Sequence, residues 1–86
     1  MKTKNLCGKR VKLARVAKDM KQVDLSAALS VDFGVEISQK AISRLERGIR
    51  PVTDVELVIL SSLLDVPIAW LLFGEKGEKS GKSGTV

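Results

Sequence analysis

Four polar residues recur on one side of a short segment in the middle of the chain: Gln39, Lys40, Ser43 and Arg44. At helical periodicity they gather away from Ile42 and Leu45, which face the other way. Amides, cations and a hydroxyl so placed can hydrogen-bond the edges of base pairs. Gln bonds bidentately to adenine, and Arg or Lys to guanine. The major groove of a DNA duplex admits one α-helix, whose first turn, here Gln39 and Lys40, reaches base edges while Ser43 and Arg44 follow one turn later. Taken alone, the segment suits a solvated helix face equally well.

Other chemistries lack the residues to carry them. The chain has no histidine and one cysteine, Cys7. That removes Ser-His-Asp and Cys-His catalysis, histidine metal sites and zinc fingers, and any disulfide within the chain. No enzyme activity, metal, cofactor or small-molecule ligand is indicated, and Cys7 reads as a small, partly buried residue. There is no apolar run of membrane-spanning length, and no signal-peptide core follows Lys2 and Lys4, so the expected location is the cytoplasm.

Charge points to a polyanion. The formal net charge is +5, and the excess is unevenly placed. Residues 1–22 hold eight Lys/Arg against one Asp, and residues 38–50 hold four against one Glu. The stretches 23–37 and 51–74 each sum to −3. This alternation suggests one basic face. The aromatics are only Phe33, Trp70 and Phe73. Binders of single strands and RNA loops stack bases on aromatic platforms, so duplex DNA is the better match.

The elements that must position these residues read as five short helices, an all-α fold. The first runs from about Gly8 to Lys18 and buries Val11, Ala14 and Ala17, with Met20 entering the core behind it. The second starts near Gln22 with Asp24 in its first turn, buries Leu25, Ala28 and Leu29, and stops at Gly34. Lys21 offers no oxygen to cap it. The third is capped by Ser38, points Ile42 and Leu45 inward and ends at Gly48, with Pro51 barring its resumption. The fourth begins with a capping box, Thr53 to Glu56, stapled by Val52 and Leu57, and buries Leu57, Leu60, Leu63 and Leu64. The fifth begins at Pro67 and carries Ile68, Trp70, Leu71, Leu72 and Phe73. The expected organisation is an N-terminal arm over 1–7, one folded domain over 8–74, and a disordered tail over 75–86, too polar to bury a core.

The segment from Gly8 to Leu72 resembles the Cro/repressor-type (xenobiotic-response-element, lambda-repressor-like) helix-turn-helix family. The matching residues are Gly8, Val11 and Arg15, then Gln22-Val23-Asp24-Leu25, then Ile37-Ser38 and Ala41 through Gly48, then Arg50-Pro51 and the Leu-rich fourth helix. The resemblance implies a helix-turn-helix made by the second and third helices. Gln39, Lys40, Ser43 and Arg44 match its base-reading positions. Gln22, Ser38, Arg47 and Arg50 match contacts to DNA phosphates, which fix register without reading sequence. Arg15 and Glu46 match a structural ion pair. Trp70, Leu72 and Phe73 lie where relatives often make a two-fold dimer contact, or they simply close the core. A homodimer implies a palindromic operator.

The implied function is a transcriptional regulator, a repressor that occludes a promoter. With no sensor segment after the domain, a simple phage-type or mobile-element repressor is favoured. The alternative is an antitoxin-like protein that binds a toxin partner and represses its own operon. A protein-only adaptor fits less well, because Gln22, Lys40, Arg44 and Arg47 are all retained. Two departures stand out. The connection Ser30–Ser38 is longer than the family's usual turn, so either the second helix gains a turn through Val31 and Asp32 or the loop bulges; the longer helix, with Phe33 folded onto the core, is favoured. Ser26 stands where the family favours alanine.

Overall fold

The computed structural model describes residues 2–74, and the expected disordered tail lies outside them. Four helices, α1 (Gly8–Ala17), α2 (Gln22–Phe33), α3 (Gln39–Glu46) and α4 (Asp54–Leu64), are followed by a fifth, α5 (Ile68–Gly74), which turns away from α4 by 104°. No strand occurs among the described residues, so the fold is all-α.

Local chemistry sets most helix boundaries. Thr53 Oγ1 accepts the Glu56 N–H and the Glu56 carboxylate accepts the Thr53 N–H, both at 3.1 Å, which starts α4 with a reciprocal capping box. Ser38 Oγ accepts the Ala41 N–H at 3.1 Å and starts α3. α2 lacks a side-chain cap at Lys21, but the Asp24 carboxylate accepts the Lys21 N–H at 2.8 Å. Gly34 and Gly48 follow α2 and α3 with φ of +67° and +78°, the left-handed region that glycine enters without strain.

One apolar cluster joins all five helices. α1 contributes Val11 and Ala14, α2 Leu25 and Leu29, α3 Ile42 and Leu45, α4 Leu60 and Leu64, and α5 Leu71. Ile37 joins it from the connection ahead of α3, and Cys7 from below α1. Burial raises the Cys7 thiol above its ordinary pKa, so it is held as a neutral apolar group. Met20, Leu57, Leu63 and Trp70 pack around the cluster, partly buried.

Three expectations are corrected. Ala17 is exposed, because α1 turns the side carrying Val11, Ala14 and Arg15 inward and Ala17 lies about 120° round the helix from Val11. α2 does extend through Phe33, but Phe33 stays 39% exposed. The left-handed turn at Gly34 brings the Val35 N–H back to Leu29 O at 3.0 Å, so Val35 packs on the core where Phe33 was expected. The N-terminal segment is no free arm: Lys4 N–H donates to Gly48 O at 2.7 Å, and Cys7 is 1% exposed.

A buried ion pair ties the bundle together. Arg15 Nε and Nη2 donate to the two oxygens of Glu46 at 2.7 and 3.1 Å, and Nη1 donates to Met20 O at 2.7 Å. The side chains are 9% and 3% exposed, so removing either partner strands a charge. Arg15→Ala is expected to lower unfolding free energy by roughly 3 kcal/mol or more, measured by urea titration; a loss under about 1 kcal/mol would contradict a buried role for the pair.

A second pair gives a pH signature. The Arg50 guanidinium donates to both Glu56 oxygens at 3.0 Å and holds the Glu56 carboxyl below its ordinary range. A depressed folded-state pKa adds stability that is complete above the unfolded value and fades as pH falls through the folded one. Glu56→Gln should therefore be less stable than wild type at pH 6, and the two should converge in acid. Equal urea midpoints at pH 6 would show that the pair contributes nothing.

Candidate nucleic-acid interface

α3 is the most amphipathic of the four longer helices, and its two faces have different fates. Ile42 and Leu45 are each 1% exposed in the core. On the other side Gln39, Lys40 and Arg44 are exposed and Ser43 is half-buried. The four expected reading residues are thus brought together on one outward face. Among the described residues the ion pairs are Arg15–Glu46 and Arg50–Glu56, which leaves Lys40, Arg44 and Arg47 without an acidic partner. The result is a cationic helix face with no ion-paired carboxylate among the described residues.

The residues expected at phosphates divide. Ser38 is exposed at the start of α3, its Oγ accepting the Ala41 N–H with its own O–H left to donate. Arg47 is exposed just past the other end, with Nε donating to Ser43 O at 3.3 Å. Gln22 opens α2 and reaches α3: its Nε2 donates to Glu46 Oε1 at 3.0 Å. One N–H of that amide is used there, and the second can still be donated. Arg50 departs from expectation. Its fork is closed on Glu56, and it also donates to Pro51 O at 3.0 Å, so it braces the loop into α4.

The dimer candidates also divide. Leu72 is half-buried, Trp70 packs on the core, and Phe73 is 55% exposed. Arg10 donates to Leu6 O, Leu71 O and Leu72 O at 3.3 Å each. It thereby satisfies carbonyls at the end of α5, where a cation also suits the helix dipole.

Two residues bond the flanks of α3: Asn5, which the sequence reading passed over, and Ser26, which it marked only as a departure from alanine. Asn5 Nδ2 donates to Leu45 O at 3.0 Å and to Arg50 O at 2.7 Å, while its Oδ1 accepts the Gly8 N–H at 2.7 Å. Ser26 Oγ donates to Ile37 O at 2.6 Å. Asn5 pairs with residues 40 and 45 positions away, and no short-range pattern announces such a partner. Ser26 gave a weak signal: a hydroxyl on the core side of a helix, facing an overlong connection.

Among the described residues no three Cys, Asp or Glu side chains are grouped to hold a metal ion. An open concavity of about 510 Å³ lies between the N-terminal segment, α1 and the end of α3, and its lining includes Lys9, Arg10 and Arg47. No single described helix is long and apolar enough to cross a membrane.

No curated protein and no solved structure matches the chain. A helix-turn-helix family does match, over residues 11–71, a span that takes in α2, α3 and their connection. The chain therefore belongs to the helix-turn-helix family of the xenobiotic-response-element, lambda repressor/Cro-like type, and is a DNA-binding transcription regulator of that type.

Proposed function

We propose that this protein is a sequence-specific repressor that reads the major groove of duplex DNA with α3. The observation that carries the reading is the α3 surface: Gln39, Lys40, Ser43 and Arg44 face outward while Ile42 and Leu45 lock the helix into the core. In a groove, Gln39 suits adenine, Lys40 and Arg44 suit guanine, and Ser43 donates or accepts. Gln22, Ser38 and Arg47 hold phosphates on either side and set register. Arg50 is left out of this set, its guanidinium being engaged by Glu56. Bound across a promoter, the domain excludes polymerase by occupancy.

The protein is further proposed to act as a homodimer paired through α5. Phe73 is a large apolar side chain left 55% exposed beside half-buried Leu72. A two-fold pair would place two reading helices roughly 34 Å apart and select a palindromic site.

The test is a fluorescence-anisotropy titration against a duplex selected from a randomised pool, with a scrambled duplex beside it, at several salt concentrations. Log affinity should fall linearly with log salt. Arg47→Ala should weaken both duplexes alike and reduce the salt slope by about 1. Gln39→Ala or Lys40→Ala should lose about 1–3 kcal/mol on the selected duplex and little on the scrambled one. Equal binding of both duplexes by the wild type would end the sequence-reading proposal. For the dimer, Phe73→Lys should sediment as a monomer at concentrations where the wild type is paired. A wild type that sediments as a monomer even on a palindromic duplex would remove that part.

A further inference from the structure

We infer that Asn5 and Ser26 are positioning residues for DNA reading, fixing the two ends of α3 from outside the helix-turn-helix turn itself. The inference rests on α3 being the reading helix. A helix that reads base edges must hold its side chains to within a fraction of an ångström, and that precision comes from the groups that support it.

The back end of α3 is anchored by the N-terminal segment. Gly8 sits so close to the Leu45 and Glu46 carbonyls that a side chain there would overlap Leu45 O. That approach places Asn5 over the last turn. Its amide spans three points: Leu45 O at the end of α3, Arg50 O in the following loop and the Gly8 N–H at the start of α1. The loop is gripped again two residues before Arg50. Lys4 N–H donates to Gly48 O at 2.7 Å, Thr3 Oγ1 donates to Asn5 O at 2.6 Å, and a side chain at Gly48 would meet Thr3. The exposed cation Arg47 lies between these two grips.

The front end is anchored from α2. The connection from Gly34 to Ser38 contains no helix, and Ile37 is its buried residue. Ser26 Oγ donates to Ile37 O at 2.6 Å, immediately ahead of the Ser38 cap. The Ser30 hydroxyl holds the Glu36 carboxylate at 2.8 Å on the same connection. With both ends tied, the outward angle of Gln39, Lys40, Ser43 and Arg44 is set before any DNA arrives.

Two variants separate positioning from plain stability. Asn5→Asp keeps the oxygen that accepts the Gly8 N–H but turns a second oxygen against Leu45 O and Arg50 O. Ser26→Ala removes one donor and adds no bulk to α2. Each is measured well below its melting temperature against the duplex selected by the wild type and against a scrambled duplex. The expected result is an about five- to tenfold fall in the selected-to-scrambled affinity ratio for each variant, the size expected from the loss of one or two hydrogen bonds; scrambled binding stays within about twofold of wild type for Ser26→Ala, while the charge that Asn5→Asp adds beside Arg47 weakens both duplexes by a common factor that cancels in the ratio. In the free Asn5→Asp protein, the Gly48 and Ile49 amides should exchange faster with solvent while the Leu60 and Leu64 amides keep their protection. A lowered melting temperature with an unchanged affinity ratio in both variants would overturn the inference and leave the reading role of α3 standing. A wild type that discriminates no duplex would instead remove the reading role itself, and this inference with it.

Discussion

The Glu46 carboxylate is a buried charge at the end of α3 that three helices must satisfy. Arg15 comes to it from α1, and Gln22 from the first turn of α2. A carboxylate that is 3% exposed is tolerable only if its lone pairs are filled with good geometry. Filling them requires α1, the start of α2 and the end of α3 to converge on one point. Once they do, α3 has little freedom left: Ile42 and Leu45 go inward, and the polar stripe has to face out. Arg15 is the better cation for this task because its planar fork meets the carboxylate at two points and still reaches Met20 O.

Around that point the remaining parts act as braces. α4 presents Leu60 and Leu64 to α1 and α2, and the Arg50–Glu56 pair fixes the loop that delivers α4. α5 folds back over α1 through Leu71, and Arg10 satisfies its carbonyls. Among the described residues Lys40 and Arg44 on the α3 face have no acidic partner, whereas Arg10, Arg15 and Arg50 are engaged by carboxylates or carbonyls that hold the bundle together.

Much of this was legible in the sequence, and the legible part is the short-range part. The Thr53–Glu56 box, the Ser38 cap and the Gly34 and Gly48 stops lie within a few residues of what they act on, and each marks a helix boundary in the structure. The outward stripe of α3 follows from periodicity alone. What the sequence concealed depends on geometry that no short motif announces, near in the chain or far. Arg50 looked like one more cation of the basic segment, but Glu56 closes on it. Phe33 looked like core, but the turn at Gly34 gives its place to Val35. Asn5 sat in an apparent arm, because its acceptors at Leu45 and Arg50 become neighbours only after folding.

Gly8 carries a consequence for the order in which the chain assembles. Glycine is a poor opening residue for a helix, and Cys7 ahead of it provides no side-chain cap. The first turn of α1 is held instead by Asn5 and by the carbonyl end of α3, which lies almost forty residues later. Helix nucleation is already unfavourable for an isolated segment. The start of α1 therefore belongs to the cooperative docking step of folding: it becomes helical when α3 arrives, and frays as soon as α3 leaves.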